Sequence, residues 1–316
     1  MREQAVVFGE SNSLIGIVTD PSEPSRTLNT GVILLNPGVV HRVAPGRVYV
    51  KIARALAGAG FVVLRFDFSG IGDSAVRRDN LPFEKSAVAE TQDAIEFLKG
   101  TREIERFILL GGCSGARVSF RTACSDRRVV CAIPINFPVS DDEDSNPDLI
   151  NQRVAQYYWK FAFFNLKSWI KLFTGKADYS KIFKALRSQA RRRLSSERTI
   201  SSESPQLAED LNLLGSRGVR LVFLYSENDP RLGELREAGG KGLKRLCELE
   251  KIQLEVIRRA DHTFSSLDDQ ERLVEAILAH VETITPARAN CASTIRDGNR
   301  AAHQVLGLTC TEAQPG

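Results

Sequence analysis

The sequence predicts an α/β protein built on a mostly parallel sheet of about eight strands, with helices on both faces. Short runs rich in Val, Ile, Leu and Phe alternate with amphipathic segments along most of the 316 residues, the pattern of strands joined by crossover helices. The middle runs are apolar nearly throughout, as strands become when helices cover both sides of a sheet. The composition, 42% hydrophobic and 26% charged, is that of an ordinary globular chain able to bury such a core.

In chain order, the strand candidates are "AVVFG" (5–9), "LIGIVTD" (14–20), "GVILLN" (31–36), "FVVLRFDF" (61–68), "RFILLG" (106–111), "VVCAIPIN" (129–136), "VRLVFLYS" (219–226) and "IQLEVIRR" (252–259). Each is short and rich in β-branched or aromatic residues. Helical periodicity of the apolar positions places helices over 46–59, 84–99, 115–124, 231–249 and 265–284. Two regions break the alternation. Residues 141–217 hold helical patterns and no strand candidate, and read as a helical lid inserted after the sixth strand. The final stretch, 287–316, loses periodicity and is expected to be a disordered tail. Core segments are thus expected over 1–140 and 218–286.

Several functions are disfavoured at the outset. A formal charge of +4 and the lack of a basic stripe with interleaved aromatics argue against nucleic-acid binding. No apolar run approaches the roughly 20 residues of a membrane span, and the opening "MREQAVVFGESNS" lacks the pattern of a secretory signal. The cysteines, Cys113, Cys124, Cys131, Cys247, Cys291 and Cys310, form no CxxC pair, so neither a zinc site nor a disulfide framework is expected. No cofactor is expected. A reducing, cytoplasmic compartment is the simplest reading of these thiols.

The informative stretch is "RFILLGGCSGARVSF" (106–120), in which a strand ends in two glycines, Cys113 and Ser114 before a helix begins. A nucleophile on a strand-to-helix elbow needs small residues two before and two after it, where the turn presses them against backbone. Cys113 meets this with Gly111 and Gly115; Ser114 meets it with Gly112 and Ala116. Strand phase favours Cys113 and leaves Ser114 as the alternative. The apolar run ends at Leu110, which makes Gly111 the first elbow glycine and Cys113 the nucleophile. The Ser114 N–H, at the helix N-terminus, then becomes an oxyanion donor.

A nucleophile of this kind needs an acid and a histidine, each after a later strand. Of the four histidines, only His262, in "EVIRRADHTFSS", directly follows a late strand. His280 sits mid-helix and His303 lies in the tail. The preceding strand leads into "VFLYSENDPRL", which offers Asp229 as the acid and Glu227 as a near alternative. Asp261 is a poor candidate because sequence neighbours rarely point at one another.

With these three positions in order, the chain resembles the α/β-hydrolase superfamily over residues 1 to about 285. "RFDFSGIGDS" (65–74) resembles the Asp-x-x-Gly-x-Gly-x-Ser turn after the fourth strand of many members. "LLNPGVVHRVAPGRVYVKIARALAGAGF" (34–61) and the elbow "GGCSGA" resemble a branch with a Gly-x-Cys-x-Gly/Ala elbow. That branch includes exosortase-system-associated hydrolases and hydrolases linked to polyketide or lipid gene sets. Dienelactone hydrolases and polyhydroxyalkanoate synthases also carry a cysteine at the elbow. The resemblance implies an α/β-hydrolase fold and a Cys113–His262–Asp229 triad. One departure is that Asn36-Pro37-Gly38 replaces the usual His-Gly after the third strand. Val39 N–H, following the glycine, is the expected second oxyanion donor, with His41 and Arg42 at the edge of the site.

An insertion after the sixth strand is where such proteins carry a cap. "VAQYYWKFAFFNLKSWIKLF" (154–173) has aromatics on more than one helical face, and Trp159, Phe163 and Trp169 are candidates to line an acyl pocket. The basic run "KIFKALRSQARRRLSSER" (181–198) reads either as a solvated helix face or as a surface for an acyl carrier protein, a coenzyme A ester or a lipid surface. The expected activity is hydrolysis of an ester, thioester or lactone through a covalent acyl-enzyme. Acyl transfer with the same triad is one alternative. A binding protein without catalysis on the same fold is another.

Overall fold

The computed structural model describes residues 1–23, 27–79, 81–139, 204–227 and 229–284. The expected lid residues Trp159, Phe163 and Trp169, the basic run 181–198 and the tail 287–316 lie outside the described residues.

Eight strands form one sheet: β1 (Arg2–Phe8), β2 (Leu14–Asp20), β3 (Thr30–Leu35), β4 (Val62–Phe66), β5 (Arg106–Gly112), β6 (Val129–Ile135), β7 (Arg220–Ser226) and β8 (Ile252–Ile257). Their spatial order is β1-β2-β4-β3-β5-β6-β7-β8. The β1–β2 and β2–β4 pairs are antiparallel, and every pair from β4 to β8 is parallel. The helices between them are α1 (Val48–Gly58), α2 (Phe83–Arg102), α3 (Ser114–Ser125), α4 (Pro205–Ser216), α5 (Arg231–Glu248) and α6 (Leu267–Glu282).

The apolar runs read from the sequence are apolar because their side chains feed two cores. Ile33, Leu35, Phe107 and Leu109 enter one cluster; Val32, Leu34, Ile108 and Leu110 enter the other. This is the two-residue alternation of a strand with both faces covered. On the second face, Leu273, Ile277 and Val281 of α6 recur every four residues and meet Ile52 and Leu56 of α1. Truncating one of these fully buried leucines to alanine costs about 2–5 kcal/mol.

Helix α2 runs to Arg102, three residues beyond expectation, and two further boundaries differ by three residues or more. Strand β1 starts at Arg2 rather than residue 5, because Arg2, Glu3 and Gln4 pair with Asp20, Thr19 and Val18. The backbone ladder extends an edge strand whose polar side chains stay in solvent. Residues 205–216, counted within the lid by sequence, form α4, and Leu207, Leu211 and Leu214 join the main core. The Ser204 hydroxyl caps that helix by accepting the Leu207 N–H at 3.4 Å.

The sheet order reverses between β3 and β5. Helix α1, after β3, packs on one face, while α3, after β5, packs on the other. The two connections part at the carboxyl ends of adjacent strands and leave a crevice there. No helix among the described residues is long and apolar enough to cross a membrane.

Candidate active site

Between β5 and α3 the chain turns at Cys113, whose backbone is held at φ 51°, ψ −117°. Positive φ in a residue with a side chain is strained and persists only when the surroundings enforce it. The enforcement is visible in the two glycines around it. A Cβ on Gly111 would lie 2.3 Å from the Gly115 carbonyl, and one on Gly115 would lie 2.5 Å from the Asn36 oxygen. A Cβ on Gly112 would meet only Pro37 at 3.4 Å and Tyr49 at 3.7 Å. The tight pair is therefore the one centred on Cys113. The phenol of the buried Tyr49 braces the same corner: it donates to the Leu35 carbonyl at 2.8 Å and accepts the Gly112 N–H at 2.9 Å.

The structure brings the three expected residues together from three strand ends. Cys113 Sγ lies 3.1 Å from His262 Nε2, and His262 Nδ1 lies 2.5 Å from Asp229 Oδ2. Asp229 is buried, and its second oxygen accepts the Arg231 N–H at 3.0 Å. The alternatives are occupied elsewhere. Glu227 accepts the Arg259 N–H at 2.8 Å, Asp261 caps its own loop through Thr263 and Ser265, and His280 pairs with Glu255 at 2.7 Å.

The electrostatics follow from this geometry. Burial alone would raise the Cys113 thiol, but the hydrogen bond and charge of His262, together with Arg231, hold it below its ordinary value. Burial likewise opposes protonation of His262, yet Asp229 and Cys113 outweigh it and push the imidazole up to about 9. Asp229, despite its burial, is held below the usual carboxylate range by His262 and the Arg231 N–H. Cys124 and Cys131, by contrast, are pushed up to about 12 by burial. A thiolate–imidazolium pair is thus favoured at Cys113 and disfavoured at those two cysteines.

Ser114 has a side chain with its own task. Its hydroxyl accepts the Gly38 N–H at 2.8 Å, so it fastens the loop after β3. Among the described residues, neither the Ser114 nor the Val39 N–H donates to a protein acceptor. The loop is shaped by Asp67, which is fully buried and accepts from Asn36 Nδ2 at 3.2 Å and from the Arg42 N–H. The Arg42 guanidinium is committed to Asp67 and, at 2.8 Å, to Asp73. Arg42 therefore braces the loop, and His41 is exposed on it.

Two residues escaped the sequence reading. Asn136 follows β6 with a left-handed backbone, φ 49°. Its Nδ2 donates to the His262 carbonyl at 3.0 Å, and its Oδ1 accepts the Ser226 N–H at 2.9 Å. It ties the β6 and β7 ends to the histidine loop. Arg231 opens α5 and carries its guanidinium to the sulfur, as described below. The signal in each case was position alone: a polar residue directly after a core strand, and a cation two residues beyond the acid.

A strained cysteine elbow, a histidine after the last strand and a buried acid after the strand before it, on this sheet order, define an α/β-hydrolase architecture. The chain belongs to the alpha/beta hydrolase family, whose model matches residues 32–276. No curated protein is significantly similar to the chain. Solved structures share the fold at low identity. A carboxylesterase from Nitrososphaera gargenis matches at 15% identity and TM-score 0.56, covering 89% of this chain and 100% of its own. A Pyrococcus furiosus esterase matches at 17% and 0.54, covering 89% and 90%. A serine hydrolase without a lid from Xanthomonas campestris matches at 16% and 0.52, covering 90% and 96%. That last relative is described as a serine hydrolase, whereas the elbow apex here is a cysteine.

Proposed function

We propose that the chain is an acyl hydrolase acting on an ester, thioester or lactone, with Cys113 as nucleophile, His262 as base and acid, and Asp229 as its orienting carboxylate. The observation that carries this reading is the 3.1 Å contact of Cys113 Sγ with His262 Nε2 at a strained elbow. The sulfur anion attacks the substrate carbonyl, and the resulting oxyanion is held by the N–H groups of Ser114 and Val39. His262 gives its proton to the leaving alcohol or thiol as the carbon–heteroatom bond breaks, which leaves a thioester on Cys113. Water, deprotonated by His262, then attacks that thioester, and the acid departs as the sulfur anion and imidazolium are restored.

A thiolate is already nucleophilic near neutral pH, which suits activated carbonyls better than amides. Turnover of a panel of p-nitrophenyl esters and acyl thioesters by the full chain tests the reading. Substrate cleavage lost in Cys113→Ala supports it; equal cleavage by wild type and Cys113→Ala rejects it. An added alcohol or amine that captures the acyl group faster than water would assign the chain to acyl transfer.

A further inference from the structure

The steps above leave a buried cation beside the reacting atoms without a role. Arg231 is only 8% exposed. Its Nη1 lies 3.4 Å from His262 Nε2, 3.9 Å from Cys113 Sγ and 4.0 Å from Asp229 Oδ2. An arginine paired simply with Asp229 would close on the carboxylate oxygen, but that oxygen is given to His262 at 2.5 Å. The guanidinium keeps the longer ion pair with Asp229 and lies beside the two atoms between which the catalytic proton moves.

We infer that Arg231 is a catalytic residue, whose fixed positive charge stabilises the anion on Cys113 and drives the His262 proton onto the leaving group. The inference rests on the reading of Cys113 as nucleophile.

A neighbouring cation favours loss of a proton from either group. It attracts the thiolate that forms at one deprotonation and is relieved of the imidazolium that vanishes at the other. The coupled pair titrates in two steps, and the cation lowers both. It therefore moves the whole pH window in which thiolate and imidazolium coexist to lower pH. Other groups facing the sulfur do not replace it. Asp229 carries the opposite sign, and Tyr49 of α1 is a neutral phenol engaged with Leu35 and Gly112. In α3, Arg117 is directed at Glu84, 3.0 Å away, and Arg42 is held by Asp67 and Asp73. The directions found for Cys113 and His262, both lowered by Arg231, agree with this sign.

The test is the pH profile of Cys113 alkylation by iodoacetamide, followed by mass mapping, in native protein and in Arg231→Gln, Arg231→Met and Arg231→Lys. Both neutral variants should shift the acid and alkaline limbs together, upward by about one pH unit. The lysine variant should stay closer to the native profile. Arg231→Met keeps the apolar stem, so it serves if the glutamine variant folds poorly; melting curves identify folded variants. A neutral variant that folds and leaves both limbs in place overturns the inference, as does a lysine variant displaced as far as glutamine. If native Cys113 reacts no faster than Cys124 and Cys131, it is the nucleophile reading itself that fails.

Discussion

Ser114 Oγ accepts the Gly38 N–H at 2.8 Å, so the residue after the elbow apex holds the loop that carries the second expected oxyanion donor. Removing that hydroxyl should loosen Val39 without touching Cys113 or His262. Losing an oxyanion donor outright costs about 100- to 1,000-fold in turnover. Displacing one costs less, and Ser114→Ala should lower kcat about tenfold while the rate of Cys113 alkylation is unchanged. An inactive Ser114→Ala with an unreactive Cys113 would show that the elbow itself had collapsed.

The elbow glycines offer a test of register that needs no substrate. Gly115→Ala sets a Cβ 2.5 Å from the Asn36 oxygen, backbone that cannot step aside, and should lose more than about 3 kcal/mol of stability. Gly112→Ala places its methyl at ordinary distances from Pro37 and Tyr49 and should cost about 1 kcal/mol or less. Denaturant titration of the two variants measures the difference. The reverse ranking would put the apex one residue later, at Ser114.

Mutation tests the proposed acid and base separately. Asp229→Asn should reduce kcat/KM by about 10⁴, the scale of losing the carboxylate that fixes the histidine tautomer. Glu227→Gln should cost less than about threefold, since Glu227 serves the Arg259 N–H. His262→Ala should be as severe as Asp229→Asn, and His280→Ala should be mild because that ring pairs with Glu255, away from the candidate site.

The pH dependence of kcat/KM should be a bell. Its acid limb is the thiol, held low, and its alkaline limb is His262, pushed up to about 9. Because a raised histidine is protonated below its pKa, acylation has its proton donor up to about pH 9 and loses it beyond. A rate still climbing at pH 10 would mean that the leaving group takes its proton from elsewhere.

Much of this molecule was legible in the sequence. Strands β2 and β5 and helices α3 and α5 fell within two residues of expectation, because continuous apolar runs and helical periodicity both report burial directly. The meeting of Cys113, Asp229 and His262 could be expected because each follows a core strand. Asn136 and Arg231 follow core segments too, but a lone Asn or Arg there is ordinarily a solvated turn residue. Their roles arise from tertiary convergence, with Asn136 meeting a carbonyl 126 residues away. The polar start of β1 was missed because backbone pairing, not side-chain pattern, extends it. The pairing of Arg42 could not be read from the sequence because Asp67, the residue that holds it, is 25 positions distant.

The central claim, that Cys113 carries the acyl group, is tested most directly by trapping it. The full chain is mixed briefly with a p-nitrophenyl ester, acid-quenched, weighed intact and mapped by peptide mass. One acyl group is expected, on the peptide containing Cys113, labile to hydroxylamine as a thioester, and absent from Cys113→Ala. An acyl group on Ser114, or turnover that persists in Cys113→Ala, would contradict it.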